Sequence, residues 1–501
     1  MKTKMKILLL CVLLCLAVFA AGILTGKAFT KTSSSSFTDT KNDTSLQNQT
    51  KAEYTDYSFI KAAPGIKPDM LSASYWTRNN KTDLLFTMKE ISEFNLNNPL
   101  FVEYTTNMSG FKRKLFMQNL PESIGKDIIV NLINPDQIKD FENNKESIYI
   151  NGIVPAKNYW DLVKANLNLN HVPDSVIPRY AVCLQQQVGK IFPVDDFAST
   201  EPDEFFINDF ISAEIMPFAG VVILHESADG KWYYVLNGSY CCWVKKDTLA
   251  VCSNKEEWLA ACSPYNFLIV TGNKLVLDET ALPAQTSGMI LPMGTKMRLI
   301  ESPSENVGGR SSWGCYCVEI PCHKPGGNEL DWEQVLIPVS EDVHVGYLPM
   351  TSGSVIEQAF KTLGHVYGYG GSLSSNDCSG TVNQIYACYG FELPRNARAI
   401  AELADLGKFN STFMTTGKKK DLMEKMLPGV LLYMDGHLMI YLGTDAGKPY
   451  VISSCATCIL PGHKLSDIYK AYCVFVCDMD MLRKNGNTWL KDISFILWKE
   501  F

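Results

Sequence analysis

The sequence predicts an α+β chain of several domains: a helical N-terminal domain, two small β-barrels and a C-terminal α+β domain. Three observations carry this prediction. At 501 residues the chain is too long for one core, and length alone points to about three or four domains. Short runs of alternating apolar and polar residues, broken by Asp-Gly and Asn-Gly pairs, fill its middle. Beyond Thr351 the texture changes to helical periodicity followed by strand–turn–strand runs.

The first residues, "MKTKMKILLLCVLLCLAVFAAGILTGK", place Lys2, Lys4 and Lys6 before an apolar run from Ile7 to Leu24. Val18 and Ala20 before Ala21 suit a small-residue cleavage site, so residues 1–26 read as a secretory signal peptide. The run also reaches the roughly 18 residues that mark a membrane span, which leaves an uncleaved anchor as the other reading. Either places the bulk of the chain outside the cytosol, secreted or membrane-anchored at the cell envelope. Residues 27–53 are rich in Ser, Thr, Asn and Lys with little to bury, the composition of a disordered linker. A formal net charge of −7 argues against a nucleic-acid binder, which is usually basic.

Residues 54–176 are expected to form the helical domain. "TMKEISEFNLNNP" and "PAKNYWDLVKANLNLN" both carry helical periodicity, punctuated by Pro99 and Pro155. In residues 177–252, "AGVVILHESADGKWYYVLNGSYCCWVKKDTLAV" alternates around hairpin signals at Asp229-Gly230 and Asn237-Gly238, predicting the first barrel. "FLIVTGNKLVL", "LPMGTKMRLIES" and "WEQVLIPVSEDVHVGYLPM" repeat that texture, predicting a second barrel over residues 253–350. Residues 351–501 open with Ser354-x-x-Glu357, read as a capping box for a helix ending near Gly364. Fourteen cysteines follow the leader, and export permits disulfides. Bridges and buried thiols both remain open. Cys455-x-x-Cys458 lacks a second pair or histidines at zinc-site spacing, so no metal or other cofactor is expected.

The chemistry concentrates in "YGYGGSLSSNDCSGTVNQIYACYGFELPR", Tyr367 to Arg395. Val382, Ile385, Tyr386 and Tyr389 share one helical face, and Gly390 stands where the helix would stop. Cys378 therefore falls at the first turn, where free N–H groups and the helix dipole favour an anion and would push a thiol toward thiolate. The same N–H groups are placed to steady an oxyanion. Gly370 and Gly371 let the preceding backbone come close, and Gly380 keeps the turn open. Of seven histidines, His437 is the best-placed base: it starts the strand in "DGHLMIYLG" after the turn Met434-Asp435-Gly436. A structural histidine is the alternative.

Y-x-Y-G-G, D-C-S-G and L-P-R, followed by G-H-L-M-I-Y-L-G, resemble the motifs of the NlpC/p60 family of papain-like cysteine peptidases. The preceding order of domains is similar to the family branch with a helical N-terminal domain and two bacterial SH3-like barrels. The resemblance implies an extracytoplasmic hydrolase of peptidoglycan stem peptides or muropeptides, cutting the γ-D-glutamyl–diamino acid bond in fragments with a free N-terminal L-Ala. It makes Cys378 the nucleophile and His437 the base. Asp377 and Ser379 would hold the substrate amine and Tyr367 would line the cleft; a helix N-cap is the other role for Asp377. Two positions depart from the family pattern. Tyr369 replaces a tryptophan, and Ser453 stands at the third catalytic position, usually a histidine. A serine hydroxyl accepts the imidazole N–H but brings no charge. His463, ten residues further on, is a second candidate for that place. The departure at Ser453 motivates an alternative function: a catalytically weak or inactive peptidoglycan-binding protein.

Overall fold

In the computed structural model the described residues are 59–79, 82–105, 111–144 and 148–497; the predicted leader and linker lie outside them. No helix among the described residues is long and apolar enough to cross a membrane.

The first described segment mixes helices with short strands. Helix α1 (Met88–Asn97) starts where "TMKEISEF" placed it, because Thr87 and Glu90 form a reciprocal capping box. Helices α2 (Lys126–Ile133) and α3 (Tyr159–Asn166) follow, with a hairpin of Phe101–Thr105 and Lys112–Phe116 before them. The hydrophobic side chains of this segment divide between two cores. Met70, Trp76, Ile91 and Phe94 pack with residues of the C-terminal domain. Val102, Ile129, Trp160 and Leu167 pack with the middle of the chain. Ile91 and Phe94 are almost fully enclosed, and burying each such side chain is worth about 1.5–3 kcal/mol. The segment thus clasps two neighbours, and Asn95 Nδ2 fastens α1 to the Gly390 carbonyl at 2.8 Å.

The middle of the chain holds two antiparallel sheets. Strands β1 (Arg179–Cys183), β2 (Gln187–Lys190), β3 (Ile211–Ile215), β4 (Gly220–Glu226), β5 (Trp232–Asn237), β6 (Tyr240–Lys245) and β7 (Leu249–Val251) are ordered β3-β2-β6-β5-β4-β1-β7. Asp229-Gly230 sits in the hairpin turn between β4 and β5, and Gly238, with Ser239, makes the turn between β5 and β6, one residue beyond Asn237 at the end of β5. The second sheet runs β11-β10-β9-β8-β12, from β8 (Phe267–Val270), β9 (Lys296–Leu299), β10 (Cys315–His323), β11 (Leu330–Pro338) and β12 (Val343–Val345). The expectation of barrels needs correcting, since neither ladder closes. An open edge strand is tolerated when another element covers it. Here β3, bent by a bulge between Ile211 and Ala213, packs against the Tyr369–Ser374 turn of the C-terminal domain.

In the C-terminal domain, helix α4 (Ser352–Phe360) begins earlier than predicted. Its cap is Thr351, paired reciprocally with Ser354, so the capping box lies three residues before Ser354-x-x-Glu357. Helix α5 (Cys378–Ala387) packs against a six-stranded antiparallel sheet. The sheet comprises β13 (Lys408–Asn410), β14 (Leu431–Met434), β15 (His437–Asp445), β16 (Lys448–Ile459), β17 (Ile468–Asp478) and β18 (Ile493–Leu497), ordered β13-β18-β14-β15-β16-β17. Val382, Ile385, Tyr386 and Tyr389 all turn inward, and Gly390 at φ 94° ends the helical segment.

Candidate active site

The start of α5 faces the start of β15. Asp377 is the N-cap of α5 and Cys378 its first residue. His437 opens β15 directly after the two-residue turn Asp435-Gly436, in register with Met434 on β14. The backbone N–H groups of Leu438, next to His437, and of Ser379 favour the anionic form of the Cys378 sulfur. Cys378 and His437 both line one lobe of a cleft, of ≈ 490 Å³. Cys378 also lines a second lobe, of ≈ 540 Å³, together with Tyr367, Asp377 and Ser379. Of the sequence-predicted residues, Cys378, His437, Asp377, Ser379 and Tyr367 therefore reach this cleft, and Ser453 and His463 do not line it. Ser453 lies behind it, buried on β16, and meets His437 Nε2 at 2.7 Å through its hydroxyl. His463 is elsewhere; its Nδ1 is 3.3 Å from the Pro461 carbonyl.

Charge at this helix start is already balanced. Asp377 Oδ1 accepts from Gly380 N at 2.8 Å, Arg395 Nη1 at 2.9 Å and Ser379 Oγ at 3.2 Å. Its Oδ2 accepts from Arg395 Nη2 at 2.8 Å and Gly370 N at 3.0 Å. Burial would push this carboxyl up, but the bidentate Arg395 guanidinium and the two backbone donors hold it below the usual carboxylate range. Ser379 Oγ takes a further bond from Arg395 Nη1 at 2.9 Å. Of the two roles weighed for Asp377, the N-cap is formed, and the carboxylate is taken up by Arg395.

The thiol departs from the expectation of a helix-terminus thiolate. Burial and the adjacent Asp377 carboxylate push Cys378 up to about 11, against smaller opposing effects from the Leu438 and Ser379 N–H groups and Arg395. The dipole is outweighed first by enclosure of the sulfur and then by the N-cap carboxylate beside it. Burial and the Arg483 guanidinium bring His437 down to about 4. At neutral pH the pair rests as thiol and neutral imidazole. In the tautomer whose Nε2–H donates to the Ser453 hydroxyl, Nδ1 carries the free lone pair, the form that can take a proton from sulfur.

Three groups escaped sequence reasoning. Arg395 lay in the quoted L-P-R, but nothing local tied it to Asp377. Ser212, Ala213, Ser239 and Tyr240 of the first sheet line the Asp377 side of the cleft. Their sequence carries no mark of it, since they arrive only by domain docking. The docking surface explains the glycine pair. A Cβ on Gly370 would lie 2.4 Å from Ile211 Cγ2, and one on Gly371 2.5 Å from Glu214 Cβ, both on β3. Gly370 and Gly371 also hold φ of 56° and 92°. Arg483 braces the turn before His437, with Nη2 2.9 Å from the Asp435 carbonyl.

All fourteen cysteines among the described residues are free thiols, Cys378 included. Cys455 and Cys458 are buried on β16. Among the described residues, no group of three or more His, Cys, Asp or Glu is arranged to hold a metal ion.

Comparison with known proteins agrees with this geometry. Residues 364–448 match the model of the NlpC/P60 family, and residues 197–245 match the SH3 domain of SH3b1 type. No curated protein matches the chain. Among solved structures, an NlpC/P60 endopeptidase from Photobacterium damselae subsp. piscicida superposes with a TM-score of 0.64 at 14% identity. That superposition covers 85% of this chain and 95% of the other, which establishes a shared fold. An NlpC/P60 family protein from Bacillus cereus ATCC 10987 gives 0.39 at 15% identity, over 57% of this chain and 81% of the other. This chain carries an SH3b1-type domain and, around Cys378 and His437, a domain of the NlpC/P60 cysteine-peptidase family.

Proposed function

We propose that the protein is an extracytoplasmic cysteine endopeptidase. It cleaves the γ-D-glutamyl–diamino acid bond of peptidoglycan stem peptides or muropeptides that carry a free N-terminal L-Ala. The observation that carries this reading is the placement of Cys378 and His437 on one cleft wall, with the imidazole oriented by Ser453. His437 Nδ1 takes the thiol proton as sulfur attacks the γ-carbonyl carbon, giving a tetrahedral oxyanion. The N–H groups of Cys378 and Ser379, at the first two positions of α5, are placed to receive that oxyanion. Collapse expels the diamino acid amine, which takes the proton back from His437 and leaves a thioester. Water, deprotonated by His437, then releases the γ-carboxylate and restores the thiol.

The lobe that holds Asp377, Ser379 and Tyr367 receives the acyl half of the substrate. The first sheet lines that lobe through Ser212, Ala213, Ser239 and Tyr240, which favours a short acyl segment ending in a free amine over intact wall. Asp377 serves the site by fixing Arg395 and the helix start, while Ser379 and Tyr367 present hydroxyls to the substrate. The test is a panel of stem peptides with and without an N-terminal acetyl cap, products identified by mass spectrometry. Cleavage after D-Glu in uncapped peptides alone is expected. Cleavage at another bond, or indifference to the cap, contradicts the assignment.

The second reading, a peptidoglycan-binding protein with a weak or inactive peptidase domain, draws on the uncharged partner at Ser453 and the raised thiol. Retention on insoluble peptidoglycan with no product from the reduced protein would favour it.

A further inference from the structure

The two lobes of the cleft are not equivalent, and the difference identifies the leaving-group side. The leaving amine must be protonated by His437, so it departs past that residue. His437 lines only the ≈ 490 Å³ lobe. That lobe is bounded by β16 and by the turn that carries Arg483, Lys484 and Asn485. Its β16 wall, from Cys455 through Cys458, offers one hydroxyl, that of Thr457, and no charge. The charged side chains lining the lobe are Arg483, Lys484 and Asp435.

The two cations are not equally available, and the Asp435 carboxylate is exposed in the same lobe. Arg483 is partly enclosed and engaged, with Nη2 on the Asp435 carbonyl at 2.9 Å and Nη1 3.6 Å from Asp492 Oδ2. It braces the turn that delivers the base. Lys484 is exposed and has no ion-pair partner among the described residues. Asn485 turns its Nδ2 toward Asp492 Oδ2 at 2.7 Å, which leaves Lys484 as the cation able to meet a ligand.

We infer that the Arg483–Asn485 turn is a carboxylate-reading subsite for the leaving residue, with Lys484 as its specificity determinant. This rests on the proposed reaction and adds a requirement to it. The leaving diamino acid must bring an unmasked carboxylate to Lys484, while Asp435, exposed in the same lobe, can meet its ammonium group. A charge-assisted contact of this kind is worth about tenfold in affinity.

The test measures equilibrium binding to the full chain bearing Cys378→Ala, so that no turnover is required. The probes are L-Ala-γ-D-Glu-meso-diaminopimelate, the same peptide amidated at its distal carboxyl, the same peptide amidated at its C-terminal carboxyl, and L-Ala-γ-D-Glu-L-Lys. One of the two amidations should weaken binding about tenfold, and the one that does so identifies the carboxylate that is read. Adding Lys484→Gln should erase that difference, and Lys484→Glu should reverse it. Equal binding of all four peptides, or a preference that survives Lys484→Glu, overturns the inference. Cleavage by the unmodified protein is scored separately. Failure to cut after D-Glu counts against the proposed reaction, whereas the carboxylate preference stands or falls on binding.

Discussion

Replacing Arg395 by Met tests how the helix start is held. The guanidinium makes two bonds to Asp377 and one to Ser379, and the side chains of Arg395 and Asp377 are 14% and 13% exposed. Methionine keeps much of the aliphatic volume but leaves the Asp377 carboxylate enclosed with only backbone and hydroxyl donors. Breaking one partner out of a buried pair costs about 3–5 kcal/mol. Removing both, in Arg395→Met with Asp377→Asn, should cost less than the sum, because no buried charge is then stranded. Acid dependence gives a second reading. The folded Asp377 is depressed, so its stabilisation is present in full above the unfolded carboxyl value of about 3.9 and is lost as pH falls through the folded value. In Arg395→Met burial is opposed only by the Gly370 and Gly380 N–H groups and the Ser379 hydroxyl, the folded carboxyl rises, and this acid-sensitive contribution shrinks or changes sign. The assay is urea unfolding of the four proteins of the cycle at neutral pH and at pH values approaching the carboxyl range. A loss below about 1 kcal/mol for Arg395→Met, or strict additivity in the cycle, would refute the reasoning.

Three further outcomes are expected. Ser453→Ala removes the 2.7 Å partner of His437 Nε2, and the bond strengthens when the imidazole is charged, so kcat should fall about 5- to 30-fold with little change in KM; an unchanged kcat would show that Ser453 does not orient the base. With His437 lowered to about 4 and Cys378 raised to about 11, kcat/KM should be flat through neutral pH, with its acid limb near the lower value; an acid limb near 6.5 would mean that the imidazole is not held neutral as described. Gly371→Ala forces a left-handed φ of 92° and a Cβ 2.5 Å from Glu214 Cβ. It should lower the midpoint of thermal unfolding and loosen the first sheet from the peptidase domain, by about 1–2 kcal/mol from backbone strain alone; wild-type melting would contradict the close approach.

What the sequence made legible was local. The helix that starts at Cys378 followed from an i, i+3, i+4, i+7 apolar face, and the hairpin before His437 from an Asp-Gly turn between apolar runs. Both signals are written within a few residues. The thiol's state was not legible, because the helix dipole is visible in sequence while the opposing Asp377 charge and enclosure arise only on folding. Arg395 was quoted without a role, since its partner lies eighteen residues back and meets it through a loop. The lining residues of β3 and β6 come from another domain, and the only trace they leave in the peptidase sequence is the Gly370-Gly371 pair. The capping box of α4 was misplaced because Thr351 and Ser354 offer the same spacing as Ser354 and Glu357, and hydroxyl–backbone bonds won. The division of the N-terminal segment between two cores leaves no periodic sign, as its helices look alike whichever neighbour covers them.

The central claim is covalent chemistry at one sulfur, and acid-quenched intact-mass spectrometry of the reduced protein during turnover of L-Ala-γ-D-Glu-meso-diaminopimelate addresses it directly. The account predicts an L-Ala-γ-D-Glu adduct that maps to Cys378, release of diaminopimelate, and neither event in Cys378→Ala. Release that persists in Cys378→Ala, or an adduct on any other residue, would contradict it.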